Sequence, residues 1–256
     1  MPNDDRHANW ETPPDGPELK SHQVHIWRLF LNLASDSAQA LELSLSKDEA
    51  EHAARFHFAA DKRRFIVAHA GLRSILARYV PCEPAQLSFS ANEHGKPTLS
   101  PNKALDFNLT HSSEYALVAV ARGRRVGIDL ERFREDEELE GIARRYFSSR
   151  EASEFLALPP ERRTIAFFEC WTRKEAFIKA QGLGLSVPLD SFDVSLTPGE
   201  PAILRATRPH PSVANCWMLQ SLQVDSDYAA AVAVERAADS TDQGLEFSCW
   251  NWTPVP

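Results

Sequence analysis

The stretch "FFECWTRKEAFIKAQG", residues 167–182, is typical of an amphipathic helix that ends at a glycine. At about 100° per residue, Glu175 falls beside an apolar stripe formed by Phe167, Phe168, Trp171 and Ile178. A carboxylate buried there loses its hydration unless a cation compensates it. A surface pair with Lys179 is the alternative, but it would leave the aromatic residues exposed. The pattern therefore favours a cation beside Glu175.

The composition is that of a globular chain. The 256 residues are 43% apolar and 25% charged, which suits one large domain or two compact halves. No apolar run could span a bilayer, and a net charge of −8 argues against nucleic acid as a partner. Residues 1–22 are polar, proline-rich and unlike a secretory signal, so we expect a flexible leader on a cytoplasmic protein. The four cysteines have no metal-ligand spacing, which predicts buried free thiols.

We expect two α+β halves, residues 23–122 and 123–236, followed by a tail at 237–256. In the first half the sequence predicts a strand at 24–31, a capping box from Ser46 to Glu49 and a long helix that begins at Asp61 and ends before Pro81. The second half has another capping box, from Ser148 to Glu151, and then the helix quoted above. "EYALVAVA" at 114–121 resembles "DYAAAVAV" at 227–234, which indicates a duplicated unit.

Acidic residues also cluster in "VGIDLE", residues 126–131. If this segment is a strand, Asp129 and Glu131 share one face with Gly127, and the glycine leaves room for something to approach the backbone. A solvated strand face is the simpler interpretation of this stretch alone. Together with Glu175, however, the two carboxylates would form the oxygen-rich kind of site that Mg²⁺ prefers, and neighbouring lysines would suit a diphosphate.

Three segments of the first half could contact an anion. Arg64, with Lys62 and Arg63, lies near the predicted start of a helix, where the helix dipole favours negative charge. His111 in "FNLTHS" could donate to a phosphate, and "GKP" at 95–97 could let the backbone approach a flat ring. A basic surface, a structural histidine and a tight turn are the respective alternatives.

Taken in order, "GKP", "FNLTHS", "GIDLE" and "WTRKEAFIKAQGLGLSVPLDSF" are similar to motifs of the 4′-phosphopantetheinyl transferases of the broad-specificity, surfactin synthetase activating type. The likeness extends over roughly residues 24–235, and the last motif is the most specific. Thr110 stands where the family usually has serine, which keeps the hydroxyl. The resemblance implies a monomeric α+β pseudodimer, each half a small, mostly antiparallel sheet packed on a long helix, with coenzyme A bound between the halves.

The resemblance also implies the reaction and its residues. The 4′-phosphopantetheine arm of coenzyme A would pass to a serine of an apo acyl, peptidyl or aryl carrier protein, releasing adenosine 3′,5′-bisphosphate, in fatty acid, polyketide or non-ribosomal peptide synthesis. Position by position, the implied Mg²⁺ ligands are Asp129, Glu131 and Glu175, and the implied diphosphate contacts are Lys174, Lys179, Thr110 and His111. Arg64 would contact the ribose 3′-phosphate, and Gly95, Lys96 and Pro97 would form the adenine-side loop. Glu175 and Lys179 would be catalytic, with Glu175 taking the serine proton directly or through a metal-bound water.

Two other functions fit the same residues. A Mg²⁺-dependent phosphodiesterase would use the carboxylates to activate water, and a non-catalytic coenzyme A binding protein would bind without turnover. The acidic chain would repel acidic carrier proteins unless a local basic patch compensated. Arg144, Arg145 and Tyr146 form the candidate docking surface.

Overall fold

The first of two sheets is built mainly from the N-terminal half. The computed structural model describes residues 9–102, 104–134, 138–237 and 244–254, apart from the side chain of Leu185. The strands of this sheet are β1 (Gln23–Phe30), β4 (Leu105–Ser112), β5 (Tyr115–Arg122) and β11 (Glu246–Trp252). Their order is β11-β1-β5-β4, and all pairs are antiparallel except β1 with β11. The first strand begins and ends one residue earlier than its sequence predicts.

The second sheet belongs to the C-terminal half and is antiparallel throughout. It consists of β6 (Val126–Arg132), β9 (Trp217–Ser221) and β10 (Tyr228–Glu235), in the order β6-β10-β9. Two small hairpins accompany the sheets: β2 (Ser88–Ala91) with β3 (Pro97–Ser100), and β7 (Phe192–Val194) with β8 (Leu204–Thr207).

Each sheet packs on one long helix. The six α-helices of the described residues are α1 (Ser35–Leu41), α2 (Lys47–Ala53), α3 (Ala59–Ala77), α4 (Leu139–Tyr146), α5 (Ser149–Ala157) and α6 (Pro160–Gln181). Both predicted capping boxes are present, at the starts of α2 and α5. Helix α3 begins at Ala59 rather than at Asp61. Arg64 therefore lies in its second turn, where the helix dipole contributes less than we expected.

Three apolar clusters give the layer order. One lies between α3 and the first sheet, and another between the second sheet and α6. The third contains Ile26 and Ala119 from the first sheet with Ile128 and Val232 from the second, so it joins the two sheets. The strands with the similar sequences, β5 and β10, occupy the interior of their sheets. This arrangement confirms the predicted α+β pseudodimer.

The two sheets meet where β4 lies beside β6. Side-chain oxygens of Asp106, Asn108 and Ser112 accept hydrogen bonds from the backbone N–H groups of Val126, Ile128 and Arg132, at 2.8–3.0 Å. The acceptors are two or four residues apart on β4, and so are the donors on β6. This seam sets the register between the halves, because each buried N–H group needs a partner.

Both ends of the described chain pack on the body. The Trp10 indole donates to the Gln223 carbonyl at 2.7 Å, and Leu19 is buried, so the described part of the expected leader is held in place. The expected tail forms β11, whose Trp250 and Trp252 join the core of the first sheet. Within the expected leader, residues 9–22 thus pack on the body through apolar side chains, and residues 1–8 lie outside the described part.

Two expectations from composition can be compared with the structure. Within the described ranges, no helix is both long and apolar enough to cross a bilayer. All four cysteines are free thiols, as predicted, but only Cys170 is buried, whereas Cys216 is exposed.

Candidate active site

The site forms where α6 packs on β6. A Cβ atom at Gly127 would overlap the backbone of Ala176 and Ala180, so this position accepts only glycine while α6 stays in place. The room that the sequence indicated beside the strand is thus taken by the helix itself. This close approach brings the last turns of α6 over the strand face that carries Asp129 and Glu131.

Asp129 is the centre of the polar contacts. Its carboxylate is almost fully buried, and its Oδ1 lies 2.5 Å from Lys179 Nζ and accepts a 3.2 Å hydrogen bond from the Thr110 hydroxyl. Lys179 Nζ also lies 3.3 Å from the Thr110 oxygen. The other carboxylate oxygen of Asp129, Oδ2, is buried and has no hydrogen-bond partner among the described residues. Burial raises the Asp129 pKa, although the Lys179 charge opposes this rise.

Glu131 and Glu175 belong to the same electrostatic cluster. Both side chains are half-buried, so Glu175 is less enclosed than the helical pattern predicted. Burial and the neighbouring Asp129 charge raise the pKa of each carboxyl, and Glu131 further raises that of Glu175. Lys179 opposes both shifts, and the Ser112 hydroxyl donates to Glu131 at 3.4 Å. The negative charge of the three carboxylates together thus exceeds the positive charge of Lys179.

The three carboxylates do not form a closed metal-binding cluster. Across the part of the chain that the structure describes, no group of three His, Cys, Asp or Glu residues has an arrangement that could hold a metal ion. At Asp129 one oxygen is already occupied by Lys179 and Thr110. The predicted ligand set therefore remains a prediction.

Side chains of the first half that could contact an anion lie near Lys179. The His111 ring is at the surface, and its partial burial, followed by the charges of His69, Lys179 and Arg64, lowers its pKa. Arg64 is half-exposed and donates to Asn32 Oδ1 at 3.3 Å. His69 was missed by the sequence reasoning, although it follows Phe65 by one helical turn and stacks on that ring. The predicted anion contacts Arg64, Thr110, His111 and Lys179 thus lie near one another.

The "GKP" segment forms a turn at the end of α6. Asn92 Oδ1 accepts hydrogen bonds from the backbone of His94 and Lys96, and Gly95 has a φ of +86°, which suits glycine. The Asn92 amide donates to the Gly182 carbonyl at 2.7 Å, which attaches the turn to the helix. Lys96 Nζ contacts Asp106 and the Val126 carbonyl in the seam, so its charge is compensated there.

Lys174 does not lie with the other predicted site residues. Its side chain is fully buried, its Nζ lies 2.7 Å from Glu151, and it donates to the carbonyls of Leu189 and Phe192. These partners use all three ammonium protons. The prediction that Lys174 holds the diphosphate therefore disagrees with its position, because consecutive helical residues point about 100° apart.

The geometry defines a class of protein. Two α+β halves meet along a seam, and three carboxylates of one half lie around Lys179, which contacts Thr110 of the other half and lies near His111. Such a site suits an anionic, phosphate-containing substrate, with catalysis by charge compensation.

Comparison with known proteins identifies the family. A profile described as the 4′-phosphopantetheinyl transferase superfamily matches residues 125–233, and one for the N-terminal part of a 4′-phosphopantetheinyl transferase matches residues 34–123. The 4′-phosphopantetheinyl transferase HetI of Nostoc sp. is 41% identical over 88% of this chain and 93% of its own. The 4′-phosphopantetheinyl transferase Sfp of Bacillus subtilis is 32% identical over 82% of this chain and 91% of its own.

The chain belongs to the 4′-phosphopantetheinyl transferase superfamily. The predicted family and the predicted class of enzyme, one that transfers the phosphopantetheine arm to carrier proteins, are confirmed. The boundary between the two matched profiles falls at residues 123–125, where β5 ends and β6 begins.

Gly127→Ala tests the close approach of α6 to β6. The added methyl group would overlap helix backbone, so we expect the free energy of unfolding to fall by about 3 kcal/mol and α6 to move away from Asp129. Transfer activity should drop even at temperatures where the variant is folded. Gly141→Ala in α4 is the matched control, because no atom outside its own stretch of helix lies within 4 Å of the added Cβ. Equal stability of the two variants would contradict this account.

Proposed function

We propose that the chain transfers the 4′-phosphopantetheine arm of coenzyme A to a serine hydroxyl of an apo carrier protein, in a Mg²⁺-dependent reaction that releases adenosine 3′,5′-bisphosphate. The observation that carries this proposal is the contact of Lys179 with Asp129 and Thr110, which joins both halves beside Glu131 and Glu175. This contact brings together the acidic groups that would bind the metal ion and the basic group that would bind the diphosphate.

The carboxylates fit a divalent cation. Asp129 Oδ2 is buried without a hydrogen-bond partner among the described residues, which is costly unless a ligand compensates it. Burial raises the pKa of Asp129, Glu131 and Glu175, and neighbouring carboxylates raise the pKa of Glu131 and Glu175 further, so a dication would stabilise the charged forms. We therefore assign these three residues as its ligands, with water and substrate oxygens completing the set. When bound, Mg²⁺ would neutralise charge on the diphosphate.

The basic residues would hold the phosphates. Lys179, Thr110 and His111 are assigned to the diphosphate, and Arg64 to the ribose 3′-phosphate. A bound phosphate would favour protonated His111, in opposition to the lowered pKa of the ring. The turn at residues 95–97 would approach the adenine. Lys174 is left out of this set because its charge is compensated by Glu151.

The chemical step is a displacement at phosphorus. The serine oxygen forms a bond to the phosphorus that carries the pantetheine arm, and the bond from that phosphorus to the bridging oxygen breaks. Glu175 accepts the serine proton as general base. Lys179 compensates the charge that develops on the leaving bisphosphate. Catalysis rests on positioning and electrostatics.

Intact-mass spectrometry tests the proposed function. The protein is incubated with coenzyme A, Mg²⁺ and each of several apo carrier proteins from fatty acid, polyketide and non-ribosomal peptide systems. We expect the carrier to gain one phosphopantetheine group, and to gain none when EDTA removes the metal. Release of the bisphosphate without a carrier would favour the phosphodiesterase, and coenzyme A binding without turnover would favour the binding protein.

A cytoplasmic, monomeric enzyme remains our expectation.

Glu175→Gln should remove turnover while coenzyme A still binds. Glutamine cannot accept the serine proton, and general base catalysis contributes about 10²–10⁴-fold to rate. The phosphate contacts Arg64, His111 and Lys179 stay in place. Turnover is measured by intact mass and binding by calorimetry without Mg²⁺. Glu161→Gln, at an exposed position in the first turn of the same helix, is the control. Near-normal turnover would rule out Glu175 as the base.

The carrier would dock on α4. Arg144, Arg145 and Tyr146 are exposed at its C-terminal end. The charged residues that line a cavity of about 480 Å³ there are four arginines and two aspartates, Arg144, Arg145, Arg150, Arg208, Asp190 and Asp193. The Tyr146 ring meets the ring of Trp171, which lies one helical turn before Glu175. A basic surface thus adjoins the site on an otherwise acidic protein, which would favour an acidic carrier.

Arg144→Glu/Arg145→Glu should raise the Michaelis constant for an acidic carrier by about tenfold and leave kcat unchanged, because rim charges act mainly on association. Steady-state kinetics at low and high salt would measure the effect, which should shrink as salt rises. Lys20→Glu/Lys47→Glu makes the same charge change at exposed positions outside α4. An unchanged Michaelis constant in the arginine variant would disprove the assignment.

A further inference from the structure

Lys174 is the most completely enclosed charge in α6. No part of its side chain is exposed, and Nζ contacts Glu151 Oε2 at 2.7 Å, Leu189 O at 2.7 Å and Phe192 O at 2.8 Å. The ammonium also lies 4.2 Å from the centre of the Phe192 ring. With every proton donated, Lys174 has no capacity left for a substrate.

Glu151 joins the other elements around this lysine. Its Oε2 accepts from the Ser148 N–H at the start of α5 at 2.9 Å, and its Oε1 accepts from the Val194 N–H of β7 at 2.7 Å. The side chain is 1% exposed. The pair therefore connects α5, β7 and the segment before β7 to α6 at one point.

This connection constrains the neighbouring site residue. Lys174 and Glu175 are consecutive on a helix, so the direction of one side chain determines that of the other. Lys179 lies five residues further along the same rigid element. On the opposite side, Gly127 allows α6 to contact β6. The ion pair thus holds α6 from the side away from the carboxylates.

Stability alone is a weak reason for such a pair. Replacing a buried ion pair by apolar residues is often neutral or stabilising, whereas breaking it leaves an uncompensated charge. A buried pair does, however, require a specific geometry, since all its hydrogen bonds must be formed together.

We propose that Glu151 and Lys174 are positioning residues, whose ion pair fixes the rotation of α6 so that Glu175 and Lys179 face Asp129. This inference rests on the proposed function, because it concerns the geometry of the same metal and diphosphate site. It assigns to Lys174 an indirect role in place of the phosphate contact that its motif predicted.

Two variants test the proposal in the full chain. Glu151→Gln/Lys174→Met removes both charges and leaves neither one unpaired. Glu151→Asp keeps both charges but shortens the acidic side chain by one methylene group. It therefore tests the positioning role if the double variant does not fold. Arg205→Met is the matched control, because it removes ion pairs to Glu154 of α5 at 2.9 Å and to Glu200 at 2.8 Å, neither of which includes a residue of α6.

Three quantities are measured at a temperature where circular dichroism shows each variant folded: the Mg²⁺ dissociation constant by calorimetry with coenzyme A present, kcat, and the Michaelis constant for the carrier. We expect the Mg²⁺ dissociation constant to rise and kcat to fall, each by about tenfold or more, as when a partner that orients a metal ligand is lost. The carrier constant should stay unchanged, and Arg205→Met should match the wild type.

A folded variant with wild-type Mg²⁺ affinity and wild-type kcat would overturn the positioning role and leave a structural one. Failure of the proposed function gives a different result. If the wild-type protein itself neither binds Mg²⁺ nor modifies a carrier, then the metal and transfer assignments fail, whatever the variants do.

Discussion

The hydrogen bonds from β4 side chains to the β6 backbone are the constraint on which the rest of the structure depends. Leaving one of these N–H groups buried without its acceptor would cost about 1–3 kcal/mol, so the two sheets have one favoured register. Thr110 occupies the position in the β4 series between Asn108 and Ser112, and its hydroxyl meets Asp129. The same register that joins the halves therefore places a hydroxyl of one half against a carboxylate of the other.

The second constraint acts on the other side of β6. Gly127 permits contact between strand and helix backbones, and this contact lets Lys179 reach Asp129 from α6. One short strand is thus fixed by hydrogen bonds to β4 and by close packing against α6. Neither contact requires a ligand, so the acidic face is preorganised within the fold, which lowers the cost of binding a charged substrate.

Much of this could be predicted from local patterns. Alternation in "VGIDLE" placed Asp129 and Glu131 on one face, and the capping boxes located the starts of α2 and α5. The order of motifs indicated the family. Pairing between distant segments could not be predicted in this way: β11 joins the first sheet in parallel because Trp250 and Trp252 fit the core beside α3, and no local signal specifies that partner. The sequence likewise indicated space at Gly127 without indicating what fills it.

The adjacent residues Lys174 and Glu175 show how a motif can mislead. A helical wheel assumes one buried face, but the second half of α6 is enclosed on nearly all sides, and Lys174 points to α5 and β7 while Glu175 points to the carboxylates. With the Lys174 charge compensated by Glu151, Lys179 is the cation whose charge lowers the pKa of Asp129 and Glu175, and Lys179 and Arg134 both lower that of Glu131. Three carboxylates against one shared ammonium leave an excess of negative charge that a divalent cation would balance. The structural role of one residue of the motif therefore strengthens the case that its neighbour binds a metal.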